Sequence, residues 1–151
     1  GISYSYAMAC DLVLMAESSY LYQPFVGIGL VPDGGATWLL PHLVGSKRAY
    51  ELMALGEKVS AEKAVEWGLA NRVLADDDFA QASMAFAQDL SERSPLALRY
   101  TKEALNFSAA HNLSDTISKE AALQSICIGS ADSKEAITAF FEKRTPAWKG
   151  Q

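Results

Sequence analysis

The chain has 151 residues, 50% of them hydrophobic and 21% charged, with a formal net charge of −5. This is globular composition at single-domain length. A compact chain of this size would bury roughly 70% of its unfolded surface. The acidic balance argues against non-specific nucleic-acid binding. No run approaches the ~18 uninterrupted apolar residues of a membrane span, and only His42 and His111 are available to a His-rich metal site, which argues against one.

The sequence opens on Gly1, with no initiator Met, basic n-region or apolar h-region, and passes straight into dense apolar sequence. Termini are normally polar, so this reads as a start inside a fold, with any targeting signal upstream. Residues 2–9 fit a short buried helix. Asp11 to Ala16 reads as a buried strand and Tyr20 to Tyr22 as a second short one. Cys10, with the distant Cys127, lacks metal-ligand spacing. Both read as buried free thiols in a reducing, cytoplasmic setting.

Residues 27–37 (GIGLVPDGGAT) form a Gly-rich ordered loop ending at Gly34-Gly35, and Ala36 to Leu43 a helix with Pro41 near its end. From there helices dominate. Ser46 is placed to cap one ending at Gly56, and Ser60 another ending at Gly68. Leu69 to Leu74 reads as a short strand, and Asp76 or Asp77 opens a helix to about Arg93. Ser94-Pro95 starts the next helix, Ser114 caps another, and Asp132 with Glu135 gives a capping-box-like start to the last, which runs to about Arg144.

Three groups of residues invite a chemical reading. If residues 2–9 are helical, the amides of the Gly1-Ile2-Ser3 entry lack intrahelical partners and carry partial positive charge. They could then receive a developing oxyanion, although a glycine easing a buried turn explains the triplet as well. Asp33 lies between Pro32 and Gly34, with Leu30, Val31 and Trp38 close in sequence. Desolvation there would raise its pKa and make it a better base; a plain N-cap for the following helix is the alternative. Lys143 and Arg144, with Lys149 and the aromatics Phe140, Phe141 and Trp148, could hold a phosphate and an adenine ring, or merely complement a helix end. Asp76-Asp77-Asp78 reads as a solvated helix start. No Walker loop, GxGxxG fingerprint or CxxC is present.

Taken in order, GISYSYAMACDLVLMAE, QPFVGIGLVPDGGATWLLPHLVG, ELMALGEKVSAEKAVEWGLANRV and DSKEAITAFFEKRTPAWKG resemble the enoyl-CoA hydratase/isomerase (crotonase) family, in its C-terminal portion. The resemblance implies an α/β fold: part of a ββα spiral over residues 1–75, then a helical trimerisation region over residues 76–151. It implies an acyl-CoA thioester as substrate, no metal or redox cofactor, a homotrimer or hexamer, and neither nucleic acid nor membrane as partner. In the family two amides hold the thioester oxygen. Gly1 begins the motif of the second, with Ile2 at the donor position, and the first lies upstream. The two glutamates with which hydratases of the family activate water match Ser5 and Phe25 here, neither of them an acid or base. Asp33 matches the position where several family isomerases place an acidic base. Phe25 and Trp38 fall beside the acyl pocket, and Phe140 and Lys143 match the aromatic and basic contacts to coenzyme A. These matches imply an isomerase that shifts a double bond in an enoyl-CoA. Hydration by an altered mechanism, dehalogenation, ring opening and non-catalytic acyl-CoA binding remain as alternatives.

Overall fold

A computed structural model describes all 151 residues. They divide into two compact units, Gly1–Met84 and Ala85–Gln151.

The first unit begins with α1 (Ile2–Met8), which buries Tyr4 and Met8, four residues apart on one face, and Ser5 beside them. β1 (Leu14–Ala16) pairs in parallel with β4 (Arg72–Leu74), Met15 opposite Val73. β2 (Tyr20–Leu21) pairs antiparallel with β3 (Val59–Ser60). β1, β2 and β4 are shorter than the runs expected to form them, and β3 lies in no apolar run. Ahead of β1 the ladder gives way to Asn71, whose amide oxygen accepts from the Val13 N–H at 2.7 Å while its own N–H donates to the Val13 carbonyl at 2.8 Å. A side chain thus replaces a rung and Asp11 and Leu12 stay outside the sheet. α2 (Ala36–Val44) and α3 (Ser46–Leu55) pack against each other and are separated by Gly45 alone. Gly45, at φ 81° and ψ 156°, holds the cap position of α3 and no side chain caps that helix. Ser46 is therefore the first helical residue and not the cap; the sharp reversal needs a residue without a β-carbon, which places the boundary one residue earlier. Ser60 does cap α4 (Ala61–Glu66), accepting from the Lys63 N–H at 3.3 Å. Leu40, Ala49, Leu52, Val59, Ala61 and Ala64 form the centre of the core.

A 3-10 turn at Asp76–Asp78 precedes α5 (Phe79–Ser91). Asp76 is more than a solvated helix start: its carboxylate accepts from the Ser18 N–H at 3.1 Å and from the Ser18 hydroxyl at 3.0 Å, which fixes the turn after β1.

The second unit is helical. Ser94 caps α6 (Pro95–Ser108), accepting from the Ala97 N–H at 3.3 Å. α7 (Leu113–Gly129) packs on α6, and α8 (Ala131–Glu142) on α7. Two expected caps move. Asn112, not Ser114, caps α7, accepting from Asp115 N–H at 3.0 Å and returning its side-chain amide to the Asp115 carboxylate. Ser130, not Asp132, caps α8, accepting from Ser133 N–H at 3.0 Å. Asp132 is instead 2% exposed and accepts from the N–H groups of Lys149 and Gly150 and from the Ser94 hydroxyl. It joins three segments distant in sequence.

The cysteines are free but not buried: Cys10 is exposed and Cys127 half-buried. Cys10 follows the end of α1, where its thiol faces the Tyr6 carbonyl at 3.4 Å instead of the core. No helix is long and apolar enough to cross a membrane.

Candidate functional site

The start of α1 and the loop leading into α2 meet. The Ser5 side chain, fully buried, donates its hydroxyl to the Asp33 main-chain carbonyl at 2.8 Å. Gly34, at φ 63°, lies so close that a β-carbon there would stand 3.0 Å from Ile2 Cγ1 and 3.0 Å from Ser5 Cβ. A glycine is needed on both counts, the left-handed backbone and the contact. The loop bearing Asp33 is thereby fixed against the helix bearing the Ile2 amide. α1 opens without a side-chain cap; its first bond runs from the Tyr4 N–H to the Gly1 carbonyl at 3.0 Å. The Gly1 amino group donates to the Tyr22 carbonyl.

Asp33 does not cap α2. The cap position belongs to Gly35, with no side-chain bond, and only the Asp33 carbonyl is used, by the Ala36 N–H at 3.2 Å and by Ser5. The carboxylate is left uncommitted on an exposed residue. The expected desolvating wall is not closed around it in this chain: Leu30 and Trp38 are more than half exposed. Trp38, on the first turn of α2, stacks on His42 with ring centroids 4.1 Å apart. Phe25 is half-buried at the head of the 3-10 turn Val26–Ile28, and its carbonyl accepts from Ile28 and Leu30.

Phe140 and Lys143 lie in the second unit. Phe140 stands 79% exposed, edge-to-face with Phe141 at 5.7 Å. Lys143 ends α8 in the left-handed conformation. Arg144, read in sequence as its basic companion, is instead tied to Glu135 and Glu142. Lys149 offers its backbone N–H to Asp132.

Sequence reasoning passed over Tyr4 and Gln23. Both are buried, and the Tyr4 hydroxyl and both Gln23 amide atoms have no protein partner. Burial pushes the Tyr4 phenol well above its ordinary pKa. Their apolar neighbourhood made Tyr4 read as core, and Gln23 carried no pattern. No three His, Cys, Asp or Glu side chains converge as a metal site would require.

The chain as a whole has relatives among known proteins. Residues 4–151 match the enoyl-CoA hydratase/isomerase family. The 1,2-epoxyphenylacetyl-CoA isomerase of Escherichia coli (strain K12) is 34% identical over 151 residues, covering 100% of this chain and 58% of that protein. A short-chain-enoyl-CoA hydratase of Clostridioides difficile is 34% identical over 134 residues, covering 89% of this chain and 86% of the relative. A crystal structure of an enoyl-CoA hydratase from Polaromonas sp. JS666 superimposes with a TM-score of 0.94 at 32% identity, covering 99% of this chain and 58% of that one. The chain belongs to the enoyl-CoA hydratase/isomerase family. Its fold is part of the crotonase-like α/β fold with a helical C-terminal region. It spans 58% of the length of the E. coli relative.

Proposed function

We propose that this chain forms the greater part of an enoyl-CoA isomerase. The thioester oxygen of a 3-enoyl-CoA docks on the Ile2 amide and on a second donor outside residues 1–151. Asp33 removes a proton from C2, and the electron pair passes into a dienolate whose oxygen carries the charge. The protonated Asp33 returns the proton at C4, leaving the double bond between C2 and C3 and the carboxylate regenerated. An oxyanion donor of this kind contributes about 3–4 kcal/mol to the transition state, and a positioned base about 10²–10⁴-fold in rate. Phe25 and Trp38 line the acyl end. Phe140 and Lys143 receive the adenine and phosphates of coenzyme A. Neither metal nor redox cofactor takes part.

The observation that carries this reading is the Asp33 carboxylate, which has no capping duty although its loop is fixed to the α1 start through Ser5 and Gly34. Against hydration by the family's paired glutamates stand Ser5, whose hydroxyl is already spent on the Asp33 carbonyl, and the hydrocarbon side chain of Phe25. The relatives include proteins named as hydratases as well as one named as an isomerase. The deciding assay therefore offers 3-enoyl-CoA, 2-enoyl-CoA with water, and 1,2-epoxyphenylacetyl-CoA side by side to the full-length protein that contains residues 1–151. Turnover of 3-enoyl-CoA that vanishes in Asp33→Asn is the expected result. Hydration of 2-enoyl-CoA that survives in Asp33→Asn would overturn it.

A further inference from the structure

Lys143 is the one non-glycine residue of the chain with a positive φ, 54°, with ψ 42°. A side chain in that region is strained, and such strain persists only where the surroundings fix it. Here the chain reverses at Lys143 and runs back along the helix it has just left. Arg144 gives two parallel hydrogen bonds to Glu135, at 2.6 and 3.1 Å, and a third to Glu142 at 2.6 Å. Three residues on, the Ala147 N–H donates to the same Glu135 at 2.9 Å. The Lys149 and Gly150 N–H groups then donate to Asp132. As the tail advances its partners step back along α8, so Lys143 is the apex of the reversal. Two carboxylates surround the Arg144 guanidinium, whereas the Lys143 ammonium has no ion pair.

We propose that Glu135 and Arg144 are positioning residues: their fork-to-fork pair holds the left-handed turn that presents Lys143 to the phosphates of a coenzyme A thioester. This rests on the role given to Lys143 above. The physical gain is preorganisation. A lysine on a loose tail must be ordered when the ligand arrives, and that cost is subtracted from affinity; a lysine on a clamped turn is already ordered. The phosphates are remote from the reacting carbons, so the clamp acts on ground and transition states alike.

The test is a double-mutant cycle in the full chain, read by calorimetric binding of coenzyme A itself and by kcat and KM on the acyl-CoA substrate. Glu135→Gln keeps an oxygen for the Ala147 N–H and removes the charge. Lys143→Ala should weaken coenzyme A binding on the order of tenfold and Glu135→Gln several-fold, each with kcat nearly unchanged. The double variant should bind no more weakly than Lys143→Ala alone, because a clamp without its lysine positions nothing. Losses that multiply in the double variant, or wild-type affinity in Glu135→Gln beside a weakened Lys143→Ala, would overturn the clamp and leave the Lys143 reading standing. Wild-type affinity in Lys143→Ala would remove both. Arg144→Lys, which keeps the charge and loses the fork, runs the same cycle should Glu135→Gln fold too poorly to measure.

Discussion

Asp33 uses its main chain for structure and leaves its carboxylate idle. The Ser5 hydroxyl and the Ala36 N–H both bind its carbonyl oxygen, and Asn would present the same carbonyl. Asp33→Asn should therefore fold normally and bind coenzyme A nearly as well. Turnover of 3-enoyl-CoA should fall by about 10²–10⁴-fold, the usual worth of a positioned base. Thermal unfolding, calorimetry and a steady-state assay on one preparation check all three. A variant that melts early while its folded fraction keeps full activity would make Asp33 a structural residue and place the base elsewhere.

At the scale of elements, the contact between the α2 entry loop and α1 is the joint on which the site depends. Gly34→Ala would force a β-carbon into a left-handed backbone and against Ile2 and Ser5 at 3.0 Å. We expect a loss of about 1–3 kcal/mol in chemical denaturation and a larger relative loss of turnover than Asp33 chemistry alone predicts. The α8 reversal has its own signature. Hydrogen bonds from Arg144, and then from the Ala147 N–H, hold the Glu135 carboxyl down to about 2 from an ordinary 4.5. A lowered carboxyl pKa stabilises fully above the unfolded value and loses that contribution as pH falls toward the folded one. The difference in Tm between wild type and Glu135→Gln should thus be constant above about pH 4.5 and close between pH 4.5 and 2. It should also shrink with salt, since the pair is solvent-accessible. A difference that persists at pH 2 would mean that Glu135 acts by packing and not by charge.

These elements also mark what the sequence made legible. Ser60 and Ser94 were readable as caps because their partners, the Lys63 and Ala97 amides, lie three residues on. Ser46 and Ser114 misled because a residue just before each one takes the cap position, and Asp132 because distant segments claim its carboxylate. Gly45 turns the chain, Asn112 outcompetes a serine two residues later, and Asp132 is claimed by Lys149, Gly150 and Ser94. The start of α1 and the Asp33 loop could each be picked out from composition, but their meeting depends on Ser5 and Asp33, 28 residues apart, and no periodicity reports that. The pairing of Arg144 with Glu135 was hidden in the same way. A cation beside another cation in sequence reads as a basic patch until the carboxylates nine and two residues back are placed in space.

For the whole molecule, the second unit leaves much of its apolar surface uncovered. A groove of about 860 Å³ is lined by α6, α7 and α8. Leu105, Ile117 and Ile128 are more than half exposed, while Leu123 alone among the large aliphatics of α7 is buried. Apolar patches of this extent normally mark an interface. We expect the full chain to sediment as a trimer or a hexamer at micromolar concentration. A monomer under those conditions would show that these apolar positions do not mark a self-association surface.

The bond between Ser5 and Asp33 also bears on how readily activities interchange in this family. Restoring a glutamate at position 5 looks like the direct way to give this chain half of the paired acid–base machinery that its resemblance attributes to hydratases. Yet position 5 is sealed: its β-carbon would already stand 3.0 Å from one built on Gly34, and its hydroxyl supplies the proton that satisfies the Asp33 carbonyl. A glutamate would bring a longer side chain into a filled space and set a carboxylate, which only accepts hydrogen bonds when ionised, beside a carbonyl oxygen that has lost one of its two donors and keeps only the Ala36 N–H. The loop from Pro32 to Gly35 would have to move before the new acid could be tolerated. A single substitution at position 5 therefore leads downhill in stability before it reaches any new reaction, and the order in which residues change decides whether the path can be walked at all.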